Sequence, residues 1–440
     1  MVELYESQKE VLSECEGSPH AGLFLGCGAG KTFVGSERAI SYNCPRNLLV
    51  CQKSKVKDWV KHFIAYYDVR VCDLTYKNDL DEFINENDGT YVGVINYDLL
   101  FRREIFLTLR NFCLILDESS LIQNIKAKRT KFILKMKPDH VVLLSGTPVS
   151  GGQLDKDKGL IYGKYENLIS QVNLLGWKIS QKAFWDKYIN WTLVQYGEVR
   201  VKEVVGYKNI PELNAKLKDL GCVFRKTEDM VDLPEYDDQI IYVSKIPEYN
   251  KMLRHGIVHI GDVKLVGDLP ITKLLRLRQI CGHYTKEKAS ALGDILDSLE
   301  NERVVIFYTF NEELEDIKQV IGKSRPMFQI NGAVKDWDED VWKRPEYYDA
   351  VVVCQYQAGS HAHNMQAAKY MVNYSVTDRA ELYEQSRGRI RRNGQKAERV
   401  MYYHLVVKGS VEEKELASVK AGLDYTVDDY INDYEGTDES

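Results

Sequence analysis

Lys31 and Thr32 close a glycine-rich segment whose residue types suit phosphate binding. The segment, Gly26–Thr32, follows the apolar run Ala21–Leu25 and precedes Phe33–Ile40. This pattern predicts a strand, a tight turn and a helix, which together direct backbone N–H groups and a positive helix end at phosphate oxygens. In such a loop the lysine reaches the β- and γ-phosphates and the threonine binds Mg²⁺. The residues predicted to bind nucleotide here are Gly28, Ala29, Gly30, Lys31 and Thr32.

One glycine of this loop stands outside its usual place. In the pattern GxxxxGK[ST] the first glycine would fall at Leu25, whereas this chain has glycine at the next position, Gly26. Glycine-rich turns that end in Lys-Thr also occur without a nucleotide. The assignment therefore depends on whether the rest of the chain supplies groups for hydrolysis.

Asp117 and Glu118 supply a carboxylate pair at the end of a second apolar run, Phe112–Leu116. At the carboxyl end of a buried parallel strand, Asp117 is expected to hold Mg²⁺ through water. Glu118 is expected to orient and deprotonate the attacking water. Standing alone, Asp-Glu after a strand is more often a solvated turn, but a phosphate loop upstream favours the hydrolytic interpretation.

A third apolar run, His140–Leu144, leads into Ser145-Gly146-Thr147-Pro148. Three apolar strands that each end in small or polar residues predict one parallel sheet with a site along one edge. Alternating strands and helices over the first 150 residues, and again after residue 300, predict an α/β fold with two doubly wound parallel-sheet lobes. Strands are expected at 21–26, 47–52, 91–96, 112–117 and 140–145, and then near 303–308, 326–330, 349–354, 370–374 and 400–405.

Arg389 and Arg392 lie in an arginine-rich stretch, Gln385–Gln395. If this stretch is a helix, the two arginines share one face because they are three residues apart. Two guanidinium groups offered together to a phosphate chain form an arginine-finger arrangement, which is worth about 10³–10⁵ in rate. The alternative is a basic helix on the surface.

The composition restricts the class of protein. Of 440 residues, 44% are hydrophobic and 28% are charged, as in ordinary globular proteins. No apolar run approaches about 18 residues and the N-terminus has no signal core, so we expect a cytoplasmic protein. Nine cysteines without a CxxC pair argue against a disulfide framework and against a zinc site.

The net charge of −6 excludes nucleic-acid binding by bulk attraction and leaves it to local patches. The basic patches are Lys53, Lys55, Lys57 and Lys61; Lys126, Lys128, Arg129 and Lys131; and Arg387, Arg389, Arg391 and Arg392. Residues 1–150 are predicted to form the ATP-binding lobe and 151–235 a helical and loop extension with a linker at Leu233-Pro234. Residues 236–425 would form the second lobe and 426–440 an acidic, disordered tail.

The order of these segments resembles that of superfamily 2 helicases and translocases, and in detail their SWI/SNF-like branch. The resemblance runs from residue 5 to about residue 415. The matching segments are Tyr5–Gln8, Gly28–Thr32, Leu48–Gln52 with Trp59, Val94–Tyr97, Asp117–Ser120, Ser145–Pro148, Phe224–Asp229 with Leu233-Pro234, Leu277–Cys281, Val304–Phe310, Gln357–Ala368 and Gln385–Gln395.

The resemblance implies two RecA-like lobes with ATP and Mg²⁺ between them and DNA as the partner. It assigns Gln8 to reading the adenine base, and Arg389 and Arg392 to the γ-phosphate. It also implies a set of residues that contact nucleic acid or couple hydrolysis to movement: Lys53, Asn96, Tyr97, Ser145, Gly146, Thr147, Gln357, Ala358 and Gly359.

The chain departs from the family pattern at a few positions. His361 and His363 flank Ala362 where the family usually has glycine and leucine, and Gly388 stands where an acidic residue is common. The large insertions of chromatin remodellers are missing. The compact chain is therefore most similar to phage-encoded branch-migration DNA helicases, which would place it in the host cytoplasm.

The sequence thus predicts an ATP-dependent DNA helicase or translocase that remodels branched or forked DNA, independently of base sequence and with phosphate contacts dominant. One alternative is a double-strand translocase that never separates strands. A second is an RNA helicase, and a third is a nucleotide-dependent scaffold with weak hydrolysis. Glu118 and the arginine pair argue against the scaffold.

Overall fold

A computed structural model describes residues 3–85, 89–196, 199–359 and 364–435. The chain forms two compact units, which divide between Val231 and Asp232. This division lies just before Leu233-Pro234, the linker that the sequence suggests. Each unit is built on its own parallel sheet.

The first unit contains a sheet of seven strands among the described residues. The strands of this unit are β1 (His20–Leu25), β2 (Arg46–Cys51), β3 (Arg70–Asp73), β4 (Tyr91–Asn96), β5 (Phe112–Asp117), β6 (His140–Ser145), β7 (Gln153–Asp155), β8 (Gly159–Tyr162), β9 (Ile189–Tyr196), β10 (Val199–Tyr207) and β11 (Cys222–Arg225). The sheet order is β11-β1-β6-β5-β2-β4-β3, and every neighbouring pair is parallel.

Helices cover both faces of this sheet, as expected for nearly continuous apolar strands. The helices are α1 (Glu6–Glu14), α2 (Lys31–Ser41), α3 (Val56–Tyr66), α4 (Lys77–Asn85), α5 (Tyr97–Leu100), α6 (Lys128–Ile133), α7 (Ile169–Leu174), α8 (Gln181–Tyr188) and α9 (Ile210–Asp219). One core contains Val34 of α2 and Phe63 of α3, and the other contains Phe83 of α4 and Val172 of α7.

The segment after residue 150 differs from the predicted helical extension. It contains two antiparallel hairpins, β7–β8 and β9–β10, besides its helices. It also contains β11, which pairs in parallel with β1 and completes the first sheet. The expectation of a helical and loop region is therefore wrong. Strands β8 and β11 have four residues each and are too short to leave a periodic signal. Strands β9 and β10 have eight and nine residues and were missed, β9 because its first residues were assigned to a helix.

The second unit contains a parallel sheet of six strands among the described residues. The strands of this unit are β12 (Glu235–Val243), β13 (Ile257–Ile260), β14 (Val263–Val266), β15 (Val304–Tyr308), β16 (Met327–Ile330), β17 (Val351–Gln355), β18 (Tyr370–Asn373) and β19 (Arg399–Val407). The sheet order is β12-β19-β18-β15-β17-β16, and β13 and β14 form a separate hairpin. The two parallel-sheet lobes of the predicted fold are confirmed.

Helices again lie on both faces of the second sheet. They are α10 (Pro247–His255), α11 (Pro270–Gln279), α12 (Glu287–Ser298), α13 (Asn311–Ile321), α14 (Glu339–Trp342), α15 (Tyr356–Gly359), α16 (Ala380–Arg387), α17 (Val411–Lys420) and α18 (Val427–Tyr430). One core includes Leu292 of α12 and Ile317 of α13, and the opposite one includes Trp342 of α14 and Leu382 of α16.

Within the acidic end of the chain, residues 427–435 form regular structure. Helix α18 is followed by a π-helical turn, Ile431–Glu435, and the rings of Tyr425 and Tyr430 are buried. The prediction of a disordered tail from residue 426 is therefore wrong for residues 426–435. The acidic residues alternate with aromatic ones that anchor the segment, and burial of such a ring contributes about 1.5–3 kcal/mol.

Candidate active site

The glycine-rich segment forms the loop between β1 and α2. Gly28 and Gly30 have φ angles of 87° and 76°, and α2 begins at Lys31 directly after this left-handed residue. The Lys31 Nζ atom donates hydrogen bonds to the Leu25 carbonyl at 3.0 Å and to the Gly26 carbonyl at 3.3 Å. The lysine ammonium is thus held inside the loop, and Thr32 occupies the first turn of the helix.

The glycine at position 26 is explained by a close approach from β11. A Cβ atom built on Gly26 would lie 2.6 Å from the backbone nitrogen of Thr227. The Thr227 Oγ1 atom donates to the Cys27 carbonyl at 2.9 Å, and the Gly26 N–H donates to the Arg225 carbonyl at 2.9 Å. The shifted glycine therefore allows the segment after β11 to pack against the loop.

Gln8 of α1 lies beside the same loop. Its side chain is buried, and its Oε1 atom accepts a hydrogen bond from the backbone N–H of Tyr5 at 3.0 Å. Its Nε2 atom lies so close to Gly30 that a Cβ atom there would clash with it. Gln8 is therefore placed at the edge of the loop, and base reading by its side chain stays a prediction.

Asp117 ends β5 and is held by two aromatic side chains. Its Oδ2 atom accepts a hydrogen bond from Trp59 Nε1 at 2.8 Å, and its backbone carbonyl accepts one from the Tyr97 hydroxyl at 2.9 Å. Desolvation, and then the neighbouring Glu118 charge, raise the pKa of Asp117 to about 6. The carboxylate therefore sits where a nearby cation would strongly stabilise its charge.

Glu118 has a backbone conformation that is rare for a residue with a side chain. Its φ angle is 51°, in the left-handed region. Its Oε2 atom is buried and has no hydrogen-bond partner within the described ranges. Strain and an unpaired buried acceptor together are typical of a functional site.

The Asp117 carboxylate suits Mg²⁺, which prefers oxygen ligands and typically takes only one or two protein carboxylates beside phosphates and water. Asp117 offers a carboxylate and Thr32 a hydroxyl. No cluster of three or more His, Cys, Asp or Glu side chains that could hold a metal ion occurs among the residues that the structure describes. A cation here would therefore depend on oxygen atoms of the nucleotide and of water.

The loop Ser145–Pro148 follows β6, the strand next to β5. The Ser145 Oγ atom accepts a hydrogen bond from the Thr147 N–H at 3.1 Å. A Cβ atom on Gly146 would lie 3.2 Å from Lys31 Nζ, so this loop adjoins the lysine. The Thr147 Oγ1 atom is buried and has no hydrogen-bond partner in the described part of the chain.

Three further predicted contacts of the first unit differ in exposure. Lys53 is exposed in a short turn after β2. Asn96 is buried, and its Oδ1 atom caps α5 by accepting from the Leu99 N–H at 2.9 Å. Tyr97 is buried and supports Asp117 as described above. Of these three, only Lys53 presents its side chain on the surface.

In the second unit, Gln357, Ala358 and Gly359 form most of α15. A Cβ atom on Gly359 would lie 3.1 Å from the Cys354 Sγ atom, so α15 packs tightly on β17. Ser360, His361 and His363 lie outside the described residues.

The expectation that Arg389 and Arg392 share a helical face is wrong. Helix α16 ends at Arg387, and both arginines lie in the turns that follow, before Gly394, whose φ angle is 88°. Arg389 is buried, and its Nε atom donates to the Gln385 carbonyl at 2.9 Å. Arg392 is only partly buried.

Arg387, predicted as part of a basic patch, is not a surface cation. Its Nη1 atom donates to Asp238 Oδ1 at 2.6 Å, and its guanidinium lies 3.9 Å from the centre of the Tyr402 ring. Burial opposes the charge of Asp238, but hydrogen bonds from His404 and Arg387 hold the pKa of Asp238 well below its usual range. The pair joins α16 to strands β12 and β19.

Two models of known protein families match the chain. A model of the SNF2-related domain matches residues 6–286, and a model of the helicase conserved C-terminal domain matches residues 287–394. The chain belongs to the SNF2-related family.

Two curated relatives and one solved structure are similar to this SNF2-related chain. An uncharacterized ATP-dependent helicase of Mycoplasma genitalium is 25% identical over 68% of the chain and 29% of its own length. The DNA repair protein RAD5 of Kluyveromyces lactis is 24% identical over 59% and 24%. The SWI2/SNF2 ATPase core of Sulfolobus solfataricus in complex with dsDNA is 16% identical, with 95% and 91% coverage and a TM-score of 0.40.

The SNF2-related chain spans about a third of the length of the first curated relatives that it matches, namely 29%, 35% and 34%. In the described part of the chain, no helix is both long enough and apolar enough to cross a membrane.

The sequence did not predict the contacts of three residues that support the SNF2-related site. Trp59 donates to Asp117, Thr227 clamps the glycine-rich loop, and Gln171 hydrogen-bonds to Ser119, next to Glu118. Trp59 and Thr227 lie within segments that resemble the family, but their partners are distant in the chain. Gln171 carried only a weak signal, a polar residue within an apolar stretch.

Proposed function

We propose that this SNF2-family chain hydrolyses Mg-ATP and uses the reaction to move along DNA and to remodel forked or four-way DNA. The observation that carries the proposal is the Glu118 carboxylate, whose Oε2 atom is buried and has no hydrogen-bond partner among the described residues. It directly follows β5, the neighbour of β6, and the loop after β6 adjoins Lys31. Membership in the SNF2-related family supports the same reaction class.

In the proposed reaction, Lys31 neutralises the β- and γ-phosphates, and the backbone N–H groups of Gly28, Ala29 and Gly30 bind their oxygen atoms. When bound, Mg²⁺ would offset phosphate charge, with Asp117 and Thr32 holding it. Trp59 and Tyr97 keep the Asp117 carboxylate and backbone in place through their hydrogen bonds. Gln8 is proposed to read the adenine base.

Glu118 is the proposed general base. Its unpaired Oε2 atom is able to accept a proton from the attacking water. Arg389 and Arg392 are proposed to contact the γ-phosphate during hydrolysis, where a guanidinium stabilises charge in the transition state. Of the two arginines, Arg389 is buried and Arg392 is partly exposed.

DNA binding is proposed to use local cations and backbone groups rather than overall charge, since the net charge is −6. Exposed side chains suited to phosphate contact are Lys53, Lys57, Lys61, Lys126, Lys128 and Lys131. Ser145, Gly146 and Thr147, and in the second unit Gln357, Ala358 and Gly359, are proposed to couple hydrolysis to movement.

The test is the ATPase rate measured with single-stranded, duplex, forked and four-way DNA and with RNA, with Lys31→Ala as the inactive control. We expect stimulation by DNA, strongest with forked or four-way DNA. Stimulation by RNA alone would replace the proposal with an RNA helicase. Equal stimulation by all duplex-containing DNA would favour a translocase without strand separation, the second candidate.

A further inference from the structure

Two loops of the proposed site are joined by one buried amide. Gln171, in helix α7, is fully buried between the loop after β5 and the loop after β6. Its Oε1 atom accepts a hydrogen bond from Ser119 Oγ at 2.9 Å, and its Nε2 atom donates to the Pro148 carbonyl at 2.5 Å. Ser119 follows Glu118, and Pro148 follows Thr147.

The helix that carries Gln171 is itself fixed to the same loops. Ser170 Oγ donates to the Ile122 carbonyl at 2.5 Å, and Val172 packs in the hydrophobic core. Gln123, in the loop after β5, forms a second link between the two loops with longer hydrogen bonds: its Nε2 atom donates to the Pro148 carbonyl at 3.3 Å, and its Oε1 atom accepts from Ser150 Oγ at 3.2 Å. The position of the Gln171 amide is thus set by the core and not by the loops alone.

An amide side chain suits this place. A side-chain amide carries both an acceptor and donors, so it is able to pair a hydroxyl on one side and a carbonyl on the other. Its neighbours in α7, Ile169 and Val172, are core hydrophobic residues. A buried polar group in such surroundings is costly unless both of its ends are hydrogen-bonded. Separation of the two loops would therefore break a buried hydrogen bond.

We propose that Gln171 is a positioning residue that holds the Glu118 loop in register with the Ser145–Thr147 loop. It does not touch the reactants. Its role in turnover rests on the proposed function, but its role in loop geometry does not. Because the β6 loop also adjoins Lys31, the bridge fixes the proposed base relative to the proposed phosphate-binding lysine.

The test compares Gln171→Met, which keeps the side-chain length but removes both hydrogen bonds, with Ser119→Ala, which removes one. Asn173→Ala is the matched control, since Asn173 lies in the same helix and its side-chain amide donates to the Ile169 and Ile179 carbonyls. The first readout is hydrogen–deuterium exchange of the protein without nucleotide. Gln171→Met should raise exchange about 10-fold in both loops, and Asn173→Ala should not. Unchanged exchange in the two loops would overturn the proposal.

The second readout is steady-state ATPase with and without DNA. We expect Gln171→Met to lower the DNA-stimulated kcat about 10-fold while KM for ATP changes less than about 2-fold. The loss in the Ser119→Ala/Gln171→Met double variant should be smaller than the two single losses combined, since both changes act on one bond. A loss matched by Asn173→Ala would reduce Gln171 to a general structural role. A wild-type chain without ATPase activity would contradict the proposed function and leave the exchange result to decide the bridge.

Discussion

Glu118 and Asp117 are adjacent carboxylates with different surroundings, and this difference separates their proposed roles. Asp117 is hydrogen-bonded by Trp59, whereas the Glu118 Oε2 atom has no partner among the described residues. We expect Glu118→Gln to retain ATP binding and to stop turnover, because the proposed metal ligand Asp117 remains. Nucleotide titration beside steady-state kinetics measures both. Hydrolysis near the wild-type rate would show that Glu118 is not the base.

Lys31 is expected to act earlier, in binding. Lys31→Ala removes the ammonium that lies inside the glycine-rich loop and should abolish hydrolysis and weaken ATP binding. Lys182→Ala is the control, since Lys182 is an exposed lysine of the same unit that lies in α8, outside the loop and outside the proposed DNA contacts. Equal ATP affinity in Lys31→Ala and wild type would contradict the assignment.

Substitutions of Arg389 and of Arg392 should differ in their effects on kcat and on the free energy of unfolding. Arg392→Ala should lower kcat about 10²-fold or more with a smaller effect on nucleotide affinity, because a finger acts mainly in the transition state. Arg389→Ala should in addition lower the free energy of unfolding by about 1–3 kcal/mol, since its buried guanidinium bonds to the Gln385 carbonyl. Urea denaturation and kinetics on both variants separate the effects. Weaker ATP binding with unchanged kcat would make Arg392 a binding residue only.

At the scale of elements, the glycine-rich loop depends on its contact with the end of β11. Gly26→Ala would bring a Cβ atom to 2.6 Å from the Thr227 nitrogen, and backbone is poorly able to yield. We expect a loss of about 1–3 kcal/mol in the free energy of unfolding together with weaker ATP binding.

The control for this change is Gly293→Ala in α12, where the added Cβ atom would meet only Val320 Cγ1 at 3.8 Å. An alanine in that helix should stabilise the protein by about 0.4–1 kcal/mol. Chemical denaturation measures both variants. If Gly26→Ala were as stable as wild type and bound ATP equally well, the close approach would not constrain the loop.

Elements were predictable where their burial is uniform. The central strands β1, β2, β4, β5 and β6 are apolar along their length because both faces are covered, and the sequence predicts each within one residue. Edge strands such as β3 are short and partly exposed, so they leave no such pattern. The end of α16 at Arg387 was missed because the spacing of the arginines gives no information on where the helix ends.

The site was predictable as far as it is local. Lys31 and Thr32 sit in a strand–loop–helix whose order is written in consecutive residues. The hydrogen bonds of Trp59 to Asp117 and of Gln171 to Ser119 join residues more than 50 positions apart, at 58 and 52. These residues meet because the order of strands in the sheet places β2, β5 and β6 side by side. No short segment of sequence encodes that strand order.

At the scale of the whole molecule, the net charge limits how the proposed DNA partner would be bound. A chain with a net charge of −6 cannot gather DNA by diffuse attraction, so its contacts must be few and local. Arg387 is paired with Asp238 and packs on the Tyr402 ring, and Arg389 is buried. The exposed lysines of the first unit are therefore the main candidates for contact with DNA phosphates. Neutralising Lys126 and Lys128 together should weaken DNA binding by a similar factor for all base sequences. The slope of log K for DNA binding against log salt concentration should fall in magnitude by the amount expected for the loss of up to about two phosphate contacts. Titration of labelled duplexes at several salt concentrations measures this, and an unchanged salt slope would remove this patch from the interface.

The final prediction concerns the DNA structure on which the motor acts. Contacts made by a few cations and backbone groups read the sugar–phosphate backbone, so recognition should follow DNA shape and not base sequence. We therefore expect ATP-dependent remodelling of forked and four-way DNA, with little dependence on base sequence and a steep loss of activity as salt rises. Gel assays on a mobile four-way junction, a fork and a tailed duplex, each with and without ATP and with Glu118→Gln as the hydrolysis-deficient control, measure this. Remodelling that persists in Glu118→Gln would show that strand exchange does not use hydrolysis. Inactivity on all three substrates, together with duplex-stimulated ATPase, would instead identify a double-strand translocase that moves without separating strands.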